Sequence, residues 1–189
     1  MIIPAVVLIS VTLQQPQQPS PAARAARLAA YDTSRAVLSH VSRPVAEVKS
    51  ALDVYRRAVF NGTDEDVLHN ADYLRSSCEA VDTTARIMAP KVCQHCAERD
   101  AQAAFDGYRQ MLPSLRRGVA HCAAQVWALE RRPDAAKRLR QDMRVISYPL
   151  IATLRFYESR LGAVLKAINV AGATQPPPVQ ARPRPAPRP

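Results

Sequence analysis

Four stretches of this 189-residue chain carry apolar side chains at alternating intervals of three and four. That interval keeps successive apolar residues on one side of an α-helix, and its repetition makes a seam along which helices pack with a left-handed supercoil. The first seam is Leu38, Val41, Val45, Val48, Leu52, Tyr55 and Val59. The second is Val67, Ala71, Leu74, Cys78, Val81, Ala85 and Met88. The third holds the rhythm through Ala101, Phe105, Tyr108, Leu112, Leu115, Val119, Cys122, Val126 and Leu129. The fourth is Leu139, Met143, Ile146, Leu150, Leu154, Tyr157, Leu161, Val164 and Ile168, with an extra step of four beside Pro149. Strand-like alternation is absent from these stretches, so the pattern predicts an all-α fold with four helices around one core.

The residues between the seams agree. Asn61-Gly62 after Phe60 reads as a helix stop, and Thr63 with Asp66 three residues on reads as a near capping box opening the second helix. Pro90 closes that helix, and Pro133 sits where a first-turn proline would begin the fourth, directly after Arg131-Arg132. Short connections force neighbouring helices antiparallel, which gives an up-down-up-down four-helix bundle. Pro44, Pro113 and Pro149 fall inside the seams, where each removes a backbone donor and crowds the preceding turn. Because the seams continue through all three, kinks are expected more than breaks. The Ala-rich stretch before the first seam extends helix one back to about Pro21, making it longer than helix two.

Composition suits a helix-rich chain: 48% of residues are hydrophobic but only 5% aromatic, with five glycines. The closing "TQPPPVQARPRPAPRP" has too much proline to pack and reads as a disordered basic tail, either a spacer or a proline-motif ligand. At the other end, "MIIPAVVLISVTL" is apolar and uncharged but shorter than the roughly 20 residues a membrane span needs, so it reads as a secretory signal core. No basic residue precedes it and no clean cleavage site follows, Ser10-Val11-Thr12 being the nearest. The expected division is therefore an apolar segment and polar linker over 1–20, the bundle over 21–171, and the tail over 172–189. Export to a periplasm or beyond would put the four cysteines in an oxidising compartment, where an even count favours disulfides.

The formal net charge of +10 invites a polyanion reading. Yet only four of the 26 basic residues are lysines, and the arginines are spread over every segment. The densest group, Arg131, Arg132, Lys137, Arg138, Arg140 and Arg144, is diluted by Glu130, Asp134 and Asp142 and reads first as a solvated helix face. An exported protein would meet anionic lipid, wall polymer or an acidic protein before nucleic acid, which is the least expected partner.

"KVCQHC", residues 91–96, is the stretch with the most chemistry in it. If helices two and three form a hairpin about a turn near 90–95, Cys78 lies opposite about Tyr108, and Cys122 is displaced from it by roughly 20 Å at 1.5 Å per residue. Since Cα atoms more than about 7 Å apart cannot be bridged, a Cys78–Cys122 disulfide is excluded in a straight bundle. Three readings follow. Cys93 and Cys96 bond to each other at the turn while Cys78 and Cys122 are small buried apolar residues; or a folded-back loop or a break at Pro113 gathers all four into two disulfides; or the pair is chemical.

In the chemical reading, Cys-x-x-Cys with an internal His at a helix start looks locally like the active site of thiol oxidants of the thioredoxin superfamily, where the helix end and the histidine lower a thiol's pKa. That likeness covers four residues, and the superfamily's strand–helix–strand frame is missing from the pattern. The other chemical form is a zinc or copper site using Cys93, Cys96 and His95, with His69 or His121 as distant candidates, but no second pair at zinc-finger spacing exists. Covalent haem attachment needs a histidine after the second cysteine, where Ala97 stands, and the paired Glu-x-x-His of di-iron bundles is absent. No phosphate loop, nucleophile elbow or metalloprotease motif occurs. His40, His69 and His121 are expected at the surface or its boundary, and Trp127 in packing. The chain thus reads as a non-enzymatic exported bundle without a cofactor, an accessory, scaffold or interaction module that meets a protein partner or a second copy of itself. A thiol-redox or metal-handling protein and an anionic-surface binder are the competing classes.

Overall fold

The computed structural model describes residues 21–92 and 99–173. Its helices are α1 (Pro21–Asn61), α2 (Asp64–Met88), α3 (Arg99–Glu130), α4 (Ala135–Gln141) and α5 (Met143–Ala173), with a 3-10 turn at Ala89–Lys91. Among the described residues there is no strand. The long helices pack as an antiparallel bundle in which α1 lies on α2, α2 on α3 and α3 on α5, while α5 closes back on α1 more sparsely. The apolar N-terminal segment, the Pro/Arg-rich tail beyond Ala173, and Cys93, His95 and Cys96 lie outside the described residues.

The seams are the core. Leu74, Leu115, Leu139 and Leu150 are buried along with nearly all of their seam neighbours; Met88, Leu129 and Leu161 pack against the core from its edge. The three largest fully buried side chains are tyrosines, Tyr55, Tyr108 and Tyr157. A buried phenol needs a partner for its hydroxyl, and each has one. Tyr55 donates to the Leu139 carbonyl at 2.7 Å, and Tyr157 sits between Ser42 at 2.9 Å and Tyr108 at 3.4 Å. These bonds tie α1 to α4, and α1 to α5 to α3.

All three internal prolines are carried within continuous helices. The fourth seam is interrupted elsewhere, at Asp142, whose φ of −92° and ψ of 5° leave the helical path for one residue. Its N–H still bonds the Arg138 carbonyl at 2.9 Å, and its own carbonyl accepts from Ile146 at 3.0 Å, so α5 restarts at the next residue. Pro133 lies in the turn before α4 rather than in its first turn.

The α1–α2 corner carries the expected capping box. The Asp66 N–H donates to the Thr63 Oγ at 3.1 Å, and the Thr63 N–H donates to the Asp66 carboxylate at 2.8 Å. The Thr63 N–H bond first, and then a bond donated by the Thr63 hydroxyl to the same carboxylate at 2.8 Å, hold the Asp66 carboxyl below its usual range. Gly62 does not use the left-handed backbone that often ends helices. It is required by proximity instead, because a Cβ there would lie 2.8 Å from the Ala58 carbonyl oxygen. Gly118 plays a similar part between α3 and α5, where a Cβ would lie 2.9 Å from the Thr153 Cβ.

The α2–α3 register differs from the expected hairpin. Arg116 Nε donates to Asp82 at 2.8 Å and Arg75 Nε donates to Glu130 at 3.1 Å, so the level of Cys78, between 75 and 82, is the level of Cys122, between 116 and 130. Cys78 therefore does not lie opposite Tyr108; α3 is shifted by 14 residues, roughly 20 Å of helix. Unequal helix length makes such a shift possible. The second seam has seven positions and the third has nine, and the surplus turns of α3 run past Met88, where Pro90 ends α2. Ten residues of connection, able to span about 33 Å when extended, join the two levels, and Val92 from that connection is buried in the core.

Candidate functional site

Two places hold side chains that a bland bundle does not need: the centre of the α2–α3 interface and the outer face of α5. At the first, Cys78 and Cys122 are both buried, both free, and near enough for each to act on the other. The roughly 20 Å separation expected from a symmetric hairpin is thus overturned by the register. The hydrogen bond to Cys122 and then burial push the Cys78 thiol far above its ordinary pKa, so it is a thiol and not a thiolate at neutral pH. From α1, Tyr55 comes close enough to feel Cys122; burial first, then Cys122 and Asp142, raise its phenol above the usual range. Glu130 marks the lower end of this interface. Burial lifts its carboxyl, partly offset by Arg75, and its Oε1 has no hydrogen-bond partner.

The second place is a row of exposed apolar residues on α5. Val145, Tyr148 and Phe156 are 57%, 60% and 45% exposed, and Ala152 between them is exposed as well. Steps of three and four put them on one side of the helix. The Arg160 guanidinium lies over the Phe156 ring at 5.3 Å. Around the row Arg144, Arg155 and Arg160 are exposed, whereas the single carboxylate of α5, Glu158, is paired with Lys49 of α1.

No protein-family model, curated protein or solved structure matches the chain. The site is therefore read from its own residues.

Of the basic group read from sequence, Arg131, Arg132, Lys137, Arg138 and Arg144 are exposed at the α3–α4 end and the start of α5. Arg138 pairs with Asp134 at 3.0 Å, and the Arg131 guanidinium stacks 3.7 Å over Trp127, which is half exposed rather than packed inside. Arg140 turns inward. Its guanidinium donates to the carbonyls of Val59 at 2.6 Å and Gly62 at 2.9 Å and to Asp64 at 3.0 Å, satisfying the carbonyls that α1 leaves open at its C-terminus. His40, His69 and His121 are all exposed. Among the described residues no three metal-ligating side chains converge, and no helix is long and apolar enough to cross a membrane.

The outer row of α5 escaped the sequence reading although its signal was there. The seam through Leu150 and Leu154 accounts for one apolar face of the helix, and Val145, Tyr148, Ala152 and Phe156 form a second at the same rhythm. A helix buried on one side needs only one such face. The second was the surplus to notice.

Proposed function

We propose that this chain is an exported, non-enzymatic helical-bundle protein that works by contact, an interaction module whose outer α5 row docks a protein partner. The observation that carries the reading is the row itself: Tyr148, Phe156 and Val145 stand exposed on a rigid helix, flanked by arginines. Buried aromatic anchors with arginine beside them are the residue types that concentrate binding energy at protein interfaces. The partner that fits is an acidic one. The charges free to act beside the row are those of Arg144, Arg155 and Arg160, so a complementary surface has an apolar centre inside a rim of carboxylates. The apolar N-terminal segment supports export.

The test compares partner capture in producing cells for the wild type, Tyr148→Ala/Phe156→Ala, and Phe60→Ala as an exposed aromatic on another helix. Partners lost with the α5 pair alone, at unchanged melting temperature, are the expected result. An identical captured set for all three proteins overturns the reading.

The exposed Arg131, Arg132, Lys137, Arg138 and Arg144 support a second reading, adhesion to an anionic surface. It requires retention on heparin or anionic vesicles that collapses between about 50 and 200 mM salt. Docking through the α5 row, resting on apolar contact, persists through that range.

A further inference from the structure

We propose that Cys78 and Cys122 are a disulfide site, closing on exposure to a disulfide oxidant and locking α2 to α3. The placement stands on the two ion pairs that bracket it, Asp82–Arg116 at 2.8 Å and Arg75–Glu130 at 3.1 Å. On α2 both pairs lie about a turn from Cys78, and on α3 both lie about two turns from Cys122. Both cysteines are seam residues of the same core cluster, and the paired helices bring them to one level, near enough for each thiol to act on the other. Closing them makes an S–S bond of about 2.05 Å, without changing the register.

The chemistry balances as thiol–disulfide exchange. One protein thiolate attacks a sulfur of oxidised glutathione and one glutathione thiol leaves. The second cysteine then attacks the protein sulfur of the mixed disulfide, and the second glutathione thiol leaves. Two protein thiols become one S–S bond; the oxidant takes both electrons, and both protons end on the released glutathione. Because Cys78 and Cys122 are 0% and 1% exposed, the exchange takes place while α2 and α3 are still coming together, or when they part transiently. In the finished bundle the bond is shielded from reductants by the same burial. This separates it from any bond between Cys93 and Cys96: the interhelical bond encloses a long loop and constrains the unfolded chain far more than a bond across two intervening residues.

The experiment refolds the full chain from denaturant in a mixed reduced and oxidised glutathione buffer, traps remaining thiols with iodoacetamide, and maps tryptic peptides. Wild type and Cys93→Ser/Cys96→Ser are run side by side. The expected result in both is one linked pair, residues 76–86 with 118–131, in monomeric protein. The bond should raise the melting midpoint by about 10 °C over protein refolded with dithiothreitol present throughout. Alkylated Cys78 and Cys122 in refolded protein, a stable glutathione adduct on either, or a link from either to Cys93 or Cys96 in the wild type overturns the proposal. Should the double variant fail to fold, the wild-type map decides by itself.

Discussion

Along α5, Ile146, Leu150, Leu154 and Tyr157 follow one another at intervals of three and four, and so do Val145, Tyr148, Ala152 and Phe156. The first set is buried at 3% exposure or less, while the large members of the second stand about half in water. The rhythm is the same because one helix carries both. What separates them is the position of the neighbours: α1 and α3 converge on one side of α5, and none of the described helices covers the other. An apolar row at helical spacing thus states that something is to be covered, and only the packing states by what.

The largest effect that would break this contrast is a large-to-small change in each row. Leu150→Ala should cost about 2–5 kcal/mol of unfolding free energy by losing transfer energy and leaving a cavity. Phe156→Ala should stay within about 0.5 kcal/mol, as surface changes do. Urea unfolding of the two variants measures both, and similar costs would mean that the outer row is already covered.

The boundary between the rows can be moved. Gly118→Ala drives a Cβ into Thr153 and should cost about 1–3 kcal/mol. Adding Thr153→Ala removes Oγ1 and Cγ2 but keeps the Cβ, so it should return only part of that loss, a coupling that a double-mutant cycle reads directly.

A finer comparison uses the tyrosines. Tyr157→Phe removes the hydroxyl shared by Ser42 and Tyr108 and should cost about 1 kcal/mol, whereas Tyr148→Phe on the exposed row should be close to neutral. The buried phenols also set an alkaline limit. Burial raises Tyr55, Tyr108 and Tyr157 above their ordinary values in the fold, so above about pH 10 the unfolded chain loses protons that the native state keeps. Their contribution is fully present below that pH and declines as pH rises past it. Melting temperatures from pH 9 to 11 should fall, and fall less in Tyr157→Phe.

The smallest effect belongs to the corner farthest in sequence from α5. Thr63→Ala should cost about 1 kcal/mol by unmaking the capping box. Asp66 is the group held low there, so the box contributes above the ordinary carboxylate range and is lost as pH falls through the folded value. Thermal melts between pH 2 and 5 should show Thr63→Ala converging on wild type at the acid end.

How much was legible divides along the same line. The seams, the capping box, the start of α1 at Pro21 and the burial of Leu74 and Leu115 follow from local spacing, because a helix repeats every 3.6 residues wherever it packs. Asp142 as the interruption was partly legible, since aspartate favours the residue before a helix, but the prolines nearby drew attention away from it. The meeting of Cys78 with Cys122 was not legible. Seven seam positions facing nine leave the overhang free to fall at either end of the pair, and the choice was made by Asp82–Arg116, Arg75–Glu130 and the length of the connection.

The sequence alone determined that the chain forms helices and which side of each is apolar, for those depend on neighbours within a few residues. Only the tertiary structure decided the axial register of α3 on α2, the inward turn of Arg140, and which row of α5 is left bare. Those depend on groups more than 30 residues apart, and helix spacing carries no information about how far one rod slides along another.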